Sequence, residues 1–148
     1  MAEREIVSVF LIDDNAIFLS IVKRFLQSQD AVIVVGATAS GEEALIQIQN
    51  LQPDVVLVDP FTPKASGLRG VSRLRATAPG TWIVVTGLLD IDDYRQAVLT
   101  AGADDFVSKA SLAFDLLPAI RRAANGHRAW GDPAKFGEMS YAPIQTFG

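Results

Sequence analysis

Val7-Ser8-Val9-Phe10-Leu11-Ile12-Asp13-Asp14 and Asp54-Val55-Val56-Leu57-Val58-Asp59 are the two stretches that decide how this chain folds. Each is a short apolar run, rich in β-branched residues, that ends on carboxylates. Runs too short for a helix and apolar without alternation read as strands of a parallel sheet covered on both faces. In such a sheet the carboxyl ends of adjacent strands lie side by side, and ligands bind in the crevice beyond them. If these two strands are neighbours, Asp13, Asp14 and Asp59 converge on one small pocket. Two unit charges about 4 Å apart repel by roughly 4 kcal/mol at an effective dielectric near 20. Such a cluster calls for a cation, because the carboxylates otherwise raise one another's pKa. Hard oxygen ligands without His or Cys favour Mg2+, or Mn2+ in its place. Taken singly, each acid has a plainer use: Asp14 or Asn15 can cap a helix that starts at Ala16, and Asp59 can be a turn residue.

Outward from these runs the chain alternates regularly. Further short apolar runs fall at 31–37, 82–85 and 105–107. Between the runs lie segments of helical period. Ile17, Phe18, Ile21, Val22, Phe25 and Leu26 are expected on one face of a first helix, and Ala44, Leu45 and Ile48 on a second. Ser40-Gly41-Glu42-Glu43 gives the second helix a capping residue and acids at its positive end. Leu68, Val71, Leu74 and Arg75 predict a third helix, stopped near Pro79-Gly80. Tyr94, Ala97 and Val98 predict a fourth, ended at Gly102. Phe114, Leu117, Ile120 and Arg121 predict a fifth, ended near Asn125-Gly126. Five βα units in one domain read as an α/β fold, a doubly wound five-stranded parallel sheet. Residues 1–126 form that domain, and 127–148, with Pro133 and Pro143, read as a linker or C-terminal tail. Trp130 and Phe136 in it either pack back on the domain or contact a partner.

Composition narrows the function. The 148 residues suffice for one domain with a full core, 49% are apolar and 20% charged, and there is no cysteine. Disulfides, thiolate metal sites and cysteine nucleophiles are therefore excluded. The net charge of −4 comes without a basic stripe, so no nucleic-acid contact by this segment is expected. No apolar stretch approaches the roughly 18 residues of a membrane span, so the expectation is a cytoplasmic protein without membrane contact.

Two more strand ends complete the pattern. Ile83-Val84-Val85 leads to Thr86-Gly87, a hydroxyl followed by an open backbone N–H, and Phe106-Val107-Ser108 leads to Lys109. Alone, Thr86 reads as a structural hydroxyl and Lys109 as a solvated charge. On one edge with the acids they supply the parts of a phosphoryl site: a carboxylate nucleophile, a metal, hydrogen-bond donors and a lysine point charge.

At this point the chain resembles the receiver domain of two-component response regulators. The resemblance runs from about residue 7 to 125. It rests on Ile12-Asp13-Asp14, on the run to Asp59 with Pro63 and Gly67 following, on Val84-Val85-Thr86-Gly87, and on Ala101-Gly102-Ala103-Asp104-Asp105-Phe106-Val107-Ser108-Lys109. It implies the flavodoxin-like (βα)5 receiver fold and assigns roles. Asp59 would accept a phosphoryl group from a histidine kinase or a phosphotransfer protein. Asp13, Asp14, Asp59 and the Phe61 carbonyl would hold Mg2+. Lys109, Thr86, Gly87 and Phe61 would meet the phosphoryl oxygens, the last two through backbone N–H groups. Thr86 and Phe106 would act as the switch pair, although core packing is the simpler use of a strand Phe. The domain would be a phosphotransfer acceptor rather than an enzyme in the ordinary sense.

The departures from the family pattern also carry information. Ala110-Ser111 stands where many receivers have proline, which resembles the NarL/LuxR-type branch, whose output is a helix-turn-helix. No such output follows within the 148 residues, so a fragment and a stand-alone receiver both remain as readings. A homodimer through the fourth and fifth helices, including Tyr94 and the surface around Arg121-Arg122, is a family habit. In Pro60-Phe61-Thr62-Pro63-Lys64-Ala65-Ser66-Gly67, Pro60 stiffens the loop, and bulky Phe61 is expected to hinder attacking water and prolong the phosphoryl state. The rival readings are a phosphorylation-independent pseudo-receiver, a haloacid-dehalogenase-type enzyme and a dinucleotide-binding domain. The second wants an Asp where Phe61 stands, and the third lacks its Gly-x-Gly-x-x-Gly turn.

Overall fold

The computed structural model describes residues 6–130. Among them strands and helices alternate as β1 (Val7–Ile12), α1 (Ala16–Gln27), β2 (Val32–Thr38), α2 (Gly41–Leu51), β3 (Val55–Val58), α3 (Gly67–Thr77), β4 (Trp82–Gly87), α4 (Asp92–Ala101), β5 (Asp105–Ser108) and α5 (Leu112–Trp130). A single 3-10 turn, Lys109–Ser111, precedes α5. The strands form one parallel sheet in the order β2-β1-β3-β4-β5. Strand order reverses between β1 and β3, and the crevice at such a switch point is where open α/β sheets bind ligands. The α/β, five-stranded doubly wound fold expected from the sequence is the one observed. No helix among the described residues is long and apolar enough to cross a membrane.

Alternation along each strand divides the core in two. Phe10, Ile12, Val56, Val58, Ile83, Val85 and Phe106 face α2, α3 and α4, where they meet Ala44, Ile48, Val71, Leu74 and Val98. Val9, Leu11, Val55, Leu57, Val84 and Val107 face α1 and α5, where they meet Val22, Leu26, Leu116 and Ile120. All four residues of β3 are buried, as expected of a central parallel strand. β2 is not covered in the same way. It is one of the two edge strands, and its residues are partly buried or exposed.

Local signals hold in most places. Asn15, not Asp14, caps α1, accepting from the Phe18 N–H at 3.0 Å. Ser40 caps α2 through the Glu43 N–H, with Glu42 and Glu43 in the first turn. The expected apolar face of α1 is too wide. Val22 and Leu26 are buried, but Ile17 and Ile21 are 73% and 60% exposed. One residue turns a helix by 100°, so the 17/21 stripe clears the sheet that the 22/26 stripe covers. Arg75, which marked the period of α3, pins two connections instead of packing: its guanidinium donates to the Thr81 and Gly102 carbonyls and to the Asp104 carboxylate.

The fifth helix corrects the sequence reading. It does not end at Asn125-Gly126 but continues to Trp130. Gly126 is there for space: a Cβ on it would come 2.3 Å from a ring carbon of Trp82. A glycine that lets a helix cross a tryptophan looks, in sequence, like one that ends a helix. Phe136 and the rest of the tail lie outside the described residues, as does the side chain of Trp130. Helix propensity alone makes Gly126→Ala stabilising by up to about 1 kcal/mol. Overpacking against Trp82 predicts the reverse, a loss of roughly 1–3 kcal/mol. Gly80→Ala, where an added Cβ meets nothing within 4 Å, is the neutral control, and urea unfolding midpoints distinguish the two outcomes.

Candidate functional site

β1 and β3 are hydrogen-bonded neighbours with Ile12 opposite Val58, so Asp13 and Asp59 leave the sheet at the same level. The Asp59 N–H donates to the Ile12 carbonyl at 3.0 Å. Both carboxylates are buried, Asp13 with only 1% of its surface exposed. Lys109 follows β5, two strands beyond β3, and its side chain reaches across. Its Nζ lies 2.7 Å from Asp13 Oδ2 and 2.8 Å from Asp59 Oδ2. The face of the Phe18 ring, on α1, lies 4.3 Å from the same ammonium, a cation–π contact. Burial works against the charged amine, but the two carboxylates outweigh it and hold its pKa above the ordinary lysine value. The remaining oxygens are held by backbone: Asp13 Oδ1 accepts from Asn15 N–H at 2.9 Å, and Asp59 Oδ1 from Phe61 N–H at 3.0 Å.

Asp14 stands apart. It is exposed, and among the described residues no three acidic or histidine side chains are gathered as a metal site. Two of the three expected carboxylates, Asp13 and Asp59, are in contact through Lys109, and Asp14 lies outside that contact. Lys109 bridges the inner pair and offsets one of its two negative charges. The chemistry of the donors still suits a hard divalent ion: carboxylate oxygens from Asp13 and Asp59 already share one cation, with no nitrogen or sulfur ligand nearby in sequence.

Thr86 and Gly87 are the last two residues of β4 rather than a turn beyond it. Thr86 is buried. Phe106, on the neighbouring β5, is also buried. Its ring meets Tyr94 edge-on at 5.3 Å between centroids, and the Arg95 guanidinium lies 4.7 Å from its centroid. On the other side Tyr94 meets the Phe61 ring, again at 5.3 Å, and Phe61 is 55% exposed. A Cβ on Gly87 would lie 2.9 Å from the Tyr94 hydroxyl. The sequence reading placed Tyr94 on an outer surface; in the fold its ring is turned against the site. Arg121 and Arg122 are exposed as expected, with Arg122 paired to Asp105 at 2.7 Å. Sequence reasoning missed Tyr94, Phe18 and Arg95 as neighbours of the site. Period assigned Tyr94 and Phe18 to helix faces, and nothing local says that a helix's first turns overhang a strand end.

The sequence profile of the response regulator receiver domain matches residues 9–121. The response regulator GacA of Pseudomonas viridiflava is 31% identical over 122 residues, which cover 82% of this chain and 57% of GacA. The nitrate/nitrite response regulator protein NarL of Escherichia coli K12 is 30% identical over 126 residues, 85% of this chain and 58% of NarL. The chain thus spans a little over half the length of these relatives. Among solved structures, the response regulator domain of Thermotoga maritima CheB superposes with a TM-score of 0.75 at 28% identity, covering 82% of this chain and 98% of that domain.

The Tyr94 phenol is pushed up to about 12, first by burial and then by the negative charge of Asp59. Absorbance titration of a Tyr141→Phe variant, which leaves Tyr94 as the sole tyrosine, is expected to show ionisation near that value, and Asp59→Asn to lower it. Because the unfolded phenol loses its proton near pH 10, the unfolded chain holds fewer protons above that value. Tyr94 therefore makes stability fall as pH rises from about 10 to about 12.

Proposed function

Because this chain belongs to the response regulator receiver domain family, we propose that Asp59 accepts a phosphoryl group from a histidine kinase or phosphotransfer protein. A carboxylate oxygen of Asp59 attacks the phosphorus of a phosphohistidine, and the P–N bond breaks with its electron pair returning to the imidazole. The product is an acyl phosphate. The observation that carries this reading is the pair of contacts from Lys109 to the buried Asp13 and Asp59. A lysine held at the acceptor is a charge ready for phosphoryl oxygens, and it need not be recruited during transfer.

The other roles follow from position. The Thr86 hydroxyl and the Gly87 and Phe61 N–H groups donate to the phosphoryl oxygens. Asp13, Asp14, Asp59 and the Phe61 carbonyl would hold Mg2+ or Mn2+. Bound there, the ion supplies neutralisation of the charge that gathers on the phosphoryl group. Thr86 and Phe106 form the switch: an added charge of about −2 draws donors toward Asp59 and biases the arrangement of β4, α4 and β5. The acceptor is consumed and regenerated, so the domain is a signalling acceptor rather than a turnover catalyst. The domain runs through the end of α5 at Trp130 rather than stopping at residue 126, and the remaining residues to 148 lead toward an output. Since the chain covers a little over half of GacA and NarL, control of transcription through a helix-turn-helix segment of a longer protein is the output we favour. A homodimer through α4 and α5 fits the same scheme.

A second reading, a phosphorylation-independent interaction module, is favoured by one observation: Lys109 already satisfies both inner acids while Asp14 stands exposed. Intact mass after incubation with acetyl phosphate and Mg2+ decides between them. The phosphoacceptor reading predicts a gain of one phosphoryl group, absent from Asp59→Asn and from Mg2+-free samples. No gain under any condition gives the interaction module the lead. Phe61 is the apolar group beside the acceptor, so in the same assay Phe61→Asn is expected to shorten the phosphoryl lifetime roughly tenfold, ~1.4 kcal/mol off the hydrolytic barrier. An unchanged or longer lifetime removes Phe61 as a shield.

A further inference from the structure

The four side chains Phe61, Tyr94, Phe106 and Arg95 form one continuous stack across three separate elements. Phe61 comes from the loop after β3, Tyr94 and Arg95 from the first turn of α4, and Phe106 from β5. The ring contacts are 5.3 Å on each side of Tyr94, tilted at 46° to Phe61 and edge-on at 79° to Phe106. Arg95, itself paired with Asp90 at 2.6 Å, closes the far end 4.7 Å from the Phe106 centroid. Aromatic pairs of this geometry contribute beyond the area they bury.

The stack joins the loop beside the acceptor to β5. At one end the Phe61 backbone N–H donates to Asp59 Oδ1 at 3.0 Å, while Lys109 holds Oδ2, so Phe61 is tied by its backbone to the acceptor. At the other end the buried Phe106 lies opposite Val85, the residue before Thr86, where β5 pairs with β4. Gly87 makes the bridge sterically feasible. A side chain there would collide with the Tyr94 hydroxyl at 2.9 Å and ring at 3.1 Å. Phe61 is more than half exposed and has Tyr94 as its ring partner. Its ring also lies against Gly67, and Tyr94 is the ring that limits its rotamers from the α4 side.

We propose that Tyr94 is a positioning residue of the phosphoryl site: its ring holds Phe61 as a shield beside Asp59 and couples that shield to the position of Phe106. This rests on the reading that Asp59 carries a phosphoryl group and Phe61 hinders its hydrolysis. In that hydrolysis a water oxygen bonds to phosphorus, the bond from phosphorus to the Asp59 oxygen breaks, and the carboxylate leaves with the electron pair. Inorganic phosphate carries away the water oxygen and both of its protons. Tyr94 touches none of these atoms and acts through the ring it holds. A displacement of Phe106 moves Tyr94, and Tyr94 releases or resets Phe61, so the lifetime of the signal and the switched conformation are tied together.

The test is a double-mutant cycle on phosphoryl lifetime in the full 148-residue chain, loaded with acetyl phosphate and Mg2+. Phe61→Ala is expected to shorten the lifetime roughly tenfold, Tyr94→Leu by several-fold, and the double variant no further than Phe61→Ala. Tyr94→Phe keeps the ring and is expected to retain the wild-type lifetime. Effects that multiply in the double variant, or an unchanged lifetime in Tyr94→Leu, overturn the proposal. A Tyr94→Phe lifetime as short as that of Tyr94→Leu overturns it too, assigning the effect to the hydroxyl. Aromatic NMR of the unphosphorylated chain reads the link without the chemistry and without the Tyr94→Leu variant. Phe61→Ala is expected to shift the ring resonances of Phe106, two rings away, and unshifted resonances overturn the link. A wild type that takes up no phosphoryl group refutes the phosphoacceptor reading instead, and the NMR result then decides the link alone.

Discussion

Lys109 lies 2.7 Å from the Asp13 carboxylate and 2.8 Å from that of Asp59, and the edge of the sheet is arranged around that shared charge. Neither acid is tenable alone where it sits. A buried carboxylate without a partner costs several kcal/mol even after the protein relaxes, and two side by side add their repulsion. The topology brings the cation in. β1 and β3 must pair for the acids to meet, and β5 must lie on the same side of β1 as β3 and β4 for the lysine to reach them. A slip of one residue between β1 and β3 would turn an acid to the wrong face of the sheet.

The sheet was legible in the sequence for a simple reason. Central parallel strands are apolar on both faces and leave continuous runs, as Val55-Val56-Leu57-Val58 does. Caps were legible because they are local chemistry: Ser40 before Gly41-Glu42-Glu43 satisfies α2 as the pattern requires. What failed was set by tertiary contact. Gly126 reads as a helix end and serves as a gap for Trp82. Ile17 and Ile21 read as core and face solvent, because period cannot say how wide a strip the sheet will cover. The site divides along the same line. Asp13, Asp59, Thr86, Gly87 and Lys109 sit at strand ends, so one topology gathers them at one edge. Asp14 follows Asp13 in sequence yet stays outside the inner pair, and Tyr94 enters the site's surroundings from a helix whose placement no local motif reveals.

Charge and packing meet at Asp59. Lys109 holds one of its oxygens and the Phe61 N–H the other, so any group added to this carboxylate disturbs both contacts at once. One disturbance passes to Asp13 through the shared ammonium. The other passes to the aromatic stack through Phe61. Two local contacts on one side chain thereby reach three elements of the fold, β1, α4 and β5, without a change in the sheet itself.

Whether Lys109 is what makes a buried Asp13 and Asp59 compatible is read from the unfolding free energy of Lys109→Met at neutral pH beside that of Lys109→Met/Asp13→Asn. The first substitution strands two buried carboxylates and is expected to cost roughly 3–5 kcal/mol. The second removes one of those charges and is expected to restore a large part of that loss. A Lys109→Met protein within about 1 kcal/mol of wild type, the range of an exposed ion pair, would contradict the claim, as would a double variant less stable than the single.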